Sequence, residues 1–217
     1  MTIIILTAVV VVTAVLAITG EYRPTRTLVY IFKPLTTILI IGVALLGVSP
    51  NPLYKTLIII GLIFCLGGDI SLMLPAKYFI AGLVSFLIGH IFYTAAFAAD
   101  GGLQLSWWLL PLAAYGAIMY GVLHPHLGKM RGPVIAYILV ILVMAWQGLT
   151  RWSVLPTTGT LLAAVGAVVF VISDSTLALD RFREKFRSAR VIVLSTYWLA
   201  QWLIALSVGG YLVFSFF

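Results

Sequence analysis

The chain has 217 residues, of which 63% are hydrophobic and 9% are charged, and its mean hydropathy is +1.17. Soluble domains carry about 25% charged residues, so this composition excludes a water-soluble globular fold and predicts a protein embedded in lipid. The formal net charge of +7 then indicates membrane topology rather than nucleic-acid binding.

Eight apolar runs follow one another along the chain, each close to the roughly 20 residues needed to cross a bilayer. They cover residues 2–19, 28–47, 55–74, 78–98, 106–123, 133–149, 158–178 and 190–214. The breaks between them are short and contain Gly, Pro, Asn or charged residues, so neighbouring helices are expected to form antiparallel hairpins. The sequence therefore predicts a single all-α, polytopic membrane domain over residues 1–217, with eight transmembrane helices.

Lysine and arginine residues are distributed unequally between the two sides of the predicted bundle. With the amino terminus outside, eleven of the 13 basic residues fall on the inner side, and only Lys55 and Arg151 fall on outer loops. The positive-inside rule then predicts both termini on the outer side, with the basic loops in the cytoplasm, as for a bacterial inner membrane. Trp107, Trp108 and Trp152 fall near outer ends, as is typical of interfacial aromatic residues.

Two carboxylates interrupt the apolar runs at similar depth. Asp69 lies about five residues from the inner end of the third run, and Asp174 about four residues from the inner end of the seventh. Burying a charge in lipid costs several kcal/mol unless it is neutralised or paired, so both residues are candidates for a functional site. The structural alternative is local pairing, with Lys33 or an inner arginine, or a helix break beside either aspartate.

The segments that begin at these two aspartates, "DISLML" and "DSTLAL", share the pattern Asp-x-Ser/Thr-Leu-x-Leu. Because the third and seventh runs are four apart, the pattern suggests a parallel four-plus-four repeat. If the third and seventh helices are related in this way, Asp69 and Asp174 are expected to meet near the centre of the bundle.

Further polar residues lie within the apolar runs. His90 is near the middle of the fourth run, with Tyr93 three residues later on the same helix face. Tyr197 and Gln201 form an i, i+4 pair in the eighth run, either as a polar stripe facing the site or as a helix–helix contact. Lys33 either reaches the inner surface or meets an anionic headgroup.

These residues allow three chemical interpretations. Two carboxylates in a low dielectric can act as one acid and one charged base, the arrangement for general acid–base catalysis. The same residues could instead relay protons in a transporter of a lipid or small solute, or Asp69, His90 and Asp174 could hold a metal in a metal-dependent membrane hydrolase. No G-x-S-x-G, H-E-x-x-H or P-loop pattern is present in the sequence.

Five segments in this order, "KPLTT", "GGDISLML", "FLIGHIFYTAAF", "ISDSTLALDRF" and "STYWLAQWLI", resemble the YhhN family of integral membrane proteins, which includes lysoplasmalogenases. The resemblance implies eight spans and hydrolysis of the vinyl ether bond of a lysoplasmalogen. The products would be a fatty aldehyde and glycerophosphoethanolamine or glycerophosphocholine. The matching acidic positions are Asp69 and Asp174, and the implied chemistry needs no metal or other cofactor.

A vinyl ether is hydrolysed by protonation of its β-carbon, addition of water to the resulting oxocarbenium ion, and collapse of the hemiacetal. Paired carboxylates handle a similar cation in glycoside hydrolysis. The resemblance therefore implies that one of Asp69 and Asp174 donates the proton while the other stabilises the cation and activates water. We expect His90 or Tyr197 to position water or the glycerol hydroxyl, Lys33 to hold the phosphate, and the lipid chain to enter sideways from the bilayer. The predicted supporting residues are Lys33, His90, Tyr93, Tyr197 and Gln201.

Overall fold

A computed structural model describes residues 1–209, which form eight α-helices and contain no β-strand. The helices are α1 (Thr2–Gly20), α2 (Thr27–Leu46), α3 (Pro52–Met73), α4 (Phe79–Gly101), α5 (Leu109–Leu123), α6 (Arg131–Val154), α7 (Thr158–Ala178) and α8 (Ala189–Leu206). The predicted all-α fold is confirmed. The last part of the eighth predicted run, 210–214, and the carboxyl terminus predicted on the outer side lie outside the described residues.

Seven of these helices are long and apolar enough to cross a bilayer, which confirms a polytopic membrane architecture. The exception is α5, whose 15 residues extend about 22 Å at 1.5 Å per residue, against a hydrocarbon core of about 30 Å. The fifth run was predicted to begin at residue 106, but Gly102 ends α4 with a φ of +73° and α5 begins only at Leu109. The prediction was wrong there because a turn takes up residues that hydropathy alone assigns to the helix.

Six helices close into a ring in the order α2, α3, α4, α6, α7 and α8, and α8 returns to pack against α2. Helix α1 lies outside this ring against α2 and α8, and α5 lies outside it, mainly against α6. Large side chains such as Ile58, Phe97, Phe170 and Ile204 are fully buried between the ring helices. The ring therefore gives six helices a common interior, in which polar residues from distant parts of the sequence can meet.

The helices that carry the two aspartates begin at capped residues. Asn51 accepts hydrogen bonds from two backbone N–H groups in the first turn of α3, and Thr157 forms a reciprocal capping box with Thr160 at the start of α7. Such caps satisfy N–H groups that have no partner within the helix. Both helices then run unbroken through Asp69 and Asp174, so the alternative of a helix break beside either aspartate is wrong.

The glycine pair before Asp69 serves close packing of α3 against α4 instead of a break. A Cβ atom added to Gly68 would lie 2.6 Å from the ring of Phe86, and one added to Gly67 would lie 2.9 Å from the hydroxyl of Ser85. Real side chains do not approach so closely. Small residues at these positions therefore let the two helices meet directly, as is common in membrane bundles.

The two ends of the bundle differ in charge. We call the end that carries the connections 21–26, 74–78, 124–130 and 184–188 the basic end, and the other the opposite end. Arg151, predicted on an outer loop, instead lies within α6 at the opposite end and is only 6% exposed. Its guanidinium contacts Asp100 at 2.5 Å and donates to the Tyr54 hydroxyl at 3.2 Å. The loop prediction was wrong because this partner satisfies the arginine inside the bundle.

Candidate active site

Asp69 is enclosed by donors from α2 and α8 near the basic end of the ring. One carboxylate oxygen, Oδ2, accepts hydrogen bonds from the Thr37 hydroxyl at 2.6 Å and the Tyr197 hydroxyl at 2.8 Å. The Lys33 ammonium lies 3.6 Å from the other oxygen, Oδ1. The residue is 1% exposed. An ammonium and two hydroxyl donors match the acceptor-only character of an ionised carboxylate.

The surroundings of Asp69 follow from helical spacing. Lys33 and Thr37 are four residues apart on α2 and therefore share one face, which packs beside α3. The Thr37 hydroxyl also accepts a hydrogen bond from the Trp198 indole at 3.3 Å. Lys33 thus makes the local ion pair that the sequence offered as the structural alternative, and its side chain is 9% exposed.

Asp174 has fewer partners. The Tyr137 hydroxyl donates to its Oδ2 at 2.5 Å, and the Nε2 atom of His90 lies 3.9 Å from the same oxygen, beyond hydrogen-bond distance. Within residues 1–209 no lysine or arginine forms an ion pair with Asp174, and Tyr137 is its one hydrogen-bond partner. Its side chain is 13% exposed, so one carboxylate oxygen remains open to the interior of the site.

Both carboxylates line one cavity of about 270 Å³ at the basic end, which we call the polar cavity. Lys33, Tyr197 and Phe86 also line it. Its mouth carries charged residues from four helix ends, namely Glu21, Arg26, Asp180, Arg181 and Arg190. The arrangement combines an ion-paired carboxylate, a second carboxylate with a free oxygen and several cations in one space. Such a site is suited to acid–base chemistry.

The three other predicted residues lie in the core behind this cavity. The His90 ring stands edge-on to Phe170, with centroids 4.5 Å apart, and neither of its nitrogens has a hydrogen-bond partner in the described part of the chain. The Tyr93 hydroxyl donates to Gln201 Oε1 at 2.6 Å. His90, Tyr93 and Gln201 are all fully buried, and none of them lines the polar cavity.

Sequence reasoning missed two residues that bind the carboxylates. Thr37 stands four residues after Lys33 in "KPLTT", so its position on the Lys33 face was available as a signal. Tyr137 gave no such signal, because it stands in an apolar run near a helix end, where a tyrosine ordinarily marks the membrane interface. Only the packing of α6 against α7 brings Tyr137 to Asp174.

The metal-dependent alternative requires Asp69, His90 and Asp174 to converge. In residues 1–209 no group of three or more His, Cys, Asp or Glu side chains could hold a metal ion. Asp69 is instead surrounded by an ammonium and two hydroxyls. The described residues therefore do not supply the ligand set that this alternative needs.

Comparisons with known proteins agree over most of the chain. The sequence profile of the YhhN family matches residues 28–208. The membrane protein YhhN of Escherichia coli O6:H1 (strain CFT073) is 30% identical over 196 residues, which are 88% of this chain and 92% of that protein.

Two similar proteins carry the name of an enzyme. Lysoplasmalogenase TMEM86A of Homo sapiens is 35% identical over 163 residues, which are 70% of this chain and 65% of that protein. Lysoplasmalogenase TMEM86B of Mus musculus is 35% identical over 174 residues, which are 78% of this chain and 71% of that protein. No solved structure matches the chain significantly.

Proposed function

Because the chain belongs to the YhhN family, we propose that it is a membrane-embedded hydrolase that cleaves the vinyl ether bond of a lysoplasmalogen. The products are a fatty aldehyde and glycerophosphoethanolamine or glycerophosphocholine. Relatives named lysoplasmalogenases support this activity. The observation that carries the proposal is that two carboxylates with unlike surroundings, the buried Asp69 and the partly buried Asp174, line one cavity.

In this proposal Asp174 is the acid. Tyr137 occupies one of its oxygens, and the other has no donor among the described residues, so it can carry the proton that is transferred. A neutral carboxylic acid needs no cation beside it, and within residues 1–209 no lysine or arginine forms an ion pair with Asp174. Its partial exposure to the polar cavity gives that proton access to a bound substrate.

Asp69 is the charged partner. Lys33 and two hydroxyls stabilise its carboxylate, which can attract the oxocarbenium ion and accept a proton from water. Fixed charges of this kind act strongly in a site from which most water is excluded. The division into one acid and one anion follows the logic of the paired carboxylates in glycosidases.

The reaction then balances in three steps. Asp174 transfers its proton to the β-carbon, and the vinyl ether becomes an oxocarbenium ion. Water adds to the α-carbon and gives one proton to Asp69, and the product is a hemiacetal. The Asp174 carboxylate takes the proton of the hemiacetal hydroxyl as the bond from the α-carbon to the glycerol oxygen breaks, and Asp69 gives its proton to that oxygen. Asp174 is then protonated and Asp69 is charged again, which is the starting state.

The phosphate of the substrate is held by Arg26 and Arg181 at the mouth of the polar cavity. Neither arginine forms an ion pair with a described residue, whereas Arg190 is paired with Glu21 at 3.1 Å. Lys33, the phosphate ligand expected from the sequence, is engaged with Asp69. The guanidinium group of an arginine can donate two parallel hydrogen bonds to the oxygens of one phosphate. We further propose that the basic end faces the cytoplasm of a bacterial cell, across the inner membrane.

The test is aldehyde release from lysoplasmalogen by purified protein in detergent, carried out in D₂O. Protonation at carbon places one deuterium on the carbon next to the aldehyde, and immediate reduction to the alcohol preserves it for mass spectrometry. Aldehyde without this deuterium would contradict the mechanism. A chelator should leave the rate unchanged, and movement of lipid in liposomes without aldehyde would support the transporter instead.

A further inference from the structure

A second, largely apolar cavity opens beside Asp174 between α5, α6 and α7, and we call it the apolar crevice. Gly116, Met119, Ile138, Ile141 and Leu142 are among its lining residues. The crevice and the polar cavity are adjacent, because four residues line both of them. These are Phe79, Asp174, Leu177 and Arg181.

The apolar crevice continues toward the opposite end of the bundle. An apolar groove shares Tyr115 and Val171 with the crevice and extends to Trp108 and Leu149. Helix α5 packs mainly against α6, and the hydroxyl of Tyr115, which lines both spaces, donates a hydrogen bond to Ser175 on α7 at 2.7 Å. The crevice and the groove therefore adjoin at these two shared residues, and we call the two together the apolar track.

The length of the apolar track fits a lipid chain. From Tyr137, the partner of Asp174, to Leu149 the track follows α6 for about 18 Å at 1.5 Å per residue. A bilayer hydrocarbon core of about 30 Å leaves about 15 Å for the chains of each leaflet. One extended hydrocarbon chain that starts at Asp174 would therefore occupy most of the track.

We propose that the apolar track binds the single unbranched hydrocarbon chain of a lysophospholipid, while the polar cavity holds its headgroup. This inference rests on the proposed function and adds to it a binding site for the chain. Asp174 lies where the two cavities meet, and in a lysoplasmalogen the vinyl ether lies where chain meets headgroup. Asp69 lines only the polar cavity, so it faces the oxygen side of the bond.

The same boundary explains why Asp174 is the acid. The β-carbon that receives the proton belongs to the chain, and of the two carboxylates only Asp174 lines the apolar crevice. The α-carbon, to which water adds, follows on the headgroup side, where the polar cavity lies. The order of the two carboxylates along the bound substrate therefore matches the order of the atoms on which they act.

The preference of the enzyme for substrates of different chain length tests whether the chain occupies the track. Val171→Phe narrows the track where the crevice joins the groove, and Val168→Phe narrows it about 4.5 Å farther along α7. We expect Val171→Phe to raise the ratio of short-chain to long-chain kcat/KM at least about tenfold, and Val168→Phe to act only on the longest chains. Val165→Phe is the matched control, because Val165 is exposed on the same helix and lines neither part of the track.

Equal loss of activity for every chain length, or an unchanged ratio in both variants, would overturn the chain site. If Val171→Phe fails to fold, as shown by its elution in detergent, Leu112→Phe narrows the groove from its α5 wall and carries the same expectation.

A binding experiment separates this inference from the proposed reaction. An alkyl-ether lysophosphoethanolamine with a photoreactive diazirine at the chain end has no vinyl ether and is not hydrolysed. We expect its label on residues 108–112, Leu149 and Val168, at the end of the track away from Asp174, and less label there in Val168→Phe. Label spread evenly over all lipid-facing helices would reject the track even if the protein releases aldehyde. Label in the track without aldehyde release would reject the reaction alone.

Discussion

Asp69 and Asp174 stand in similar sequence segments, but the side chains that surround them in the structure differ. Both begin the pattern Asp-x-Ser/Thr-Leu-x-Leu, and both lie four residues before the end of a helix at the basic end. Asp69 nevertheless meets an ammonium and two hydroxyls, whereas Asp174 meets one tyrosine and an open cavity. The comparison shows how like carboxylates acquire unlike chemical roles from residues on other helices.

The difference also bears on the predicted four-plus-four repeat. Asp69 on α3 takes its partners from α2 and α8, and Asp174 on α7 has Tyr137 on α6 and His90 on α4 as neighbours. If α1–α4 are exchanged with α5–α8 in order, α2 and α8 around Asp69 become α6 and α4 around Asp174. The same exchange relates α1 to α5, the two helices outside the ring. The repeat stays a prediction, which this correspondence supports.

The largest expected effect comes from removal of the proposed acid. Asp174→Asn should lower kcat about 10²–10⁴-fold, the usual contribution of a general acid, while the fold persists because an amide oxygen can still accept from Tyr137. Aldehyde release and the thermal unfolding midpoint in detergent measure the two effects. Glu184→Gln, at an exposed position outside the polar cavity, is the control. Full activity of Asp174→Asn would remove the paired-carboxylate mechanism.

Loss of the cation beside Asp69 should chiefly affect stability. Lys33→Met leaves a buried carboxylate without its counter-ion and should lower the free energy of unfolding by about 3 kcal/mol. The double variant Lys33→Met/Asp69→Leu should recover much of that loss and yet remain inactive. Thermal unfolding with parallel activity assays checks this, and exposed Lys185→Met is the control. An active double variant would show that Asp69 is only structural.

Substitution of Tyr137 and of Tyr197 tests the hydrogen-bond partners of the two aspartates separately. Tyr137 is the one hydrogen-bond donor to Asp174 among described residues, whereas Tyr197 is one of three groups around Asp69. Tyr137→Phe should therefore lower kcat about tenfold, the equivalent of about 1.4 kcal/mol, and Tyr197→Phe only about threefold. Steady-state kinetics of the two variants give the order. A reversed order would exchange the proposed roles of the two aspartates.

The smallest expected effect on activity is that of His90→Phe. Both ring nitrogens are buried without partners in the described part of the protein, and the neighbours are aromatic, so phenylalanine fits the environment. Removal of an unsatisfied polar group should raise the unfolding midpoint, and kcat should fall less than about tenfold. A fall beyond a hundredfold would make His90 a group that transfers protons to Asp174.

Several features could be predicted from local sequence. Apolar runs located the helices, and the depth of Asp69 and Asp174 followed from counting residues to the next break. Four of the seven predicted site residues line the polar cavity, which are Lys33, Asp69, Asp174 and Tyr197. The errors occurred at helix ends, where the partner of Arg151 and the turn after Gly102 decide where a helix stops.

By itself the sequence determined an all-α membrane bundle with two carboxylates near one end, because length, hydropathy and charge asymmetry are local or additive properties. Only the tertiary structure decided which residues meet those carboxylates and where the polar cavity borders the apolar track. The reason is that a helix in lipid is apolar on most of its faces, so hydropathy does not reveal its rotation about its own axis. That rotation, set by packing within the ring, brings Tyr137 to Asp174 and Lys33 to Asp69.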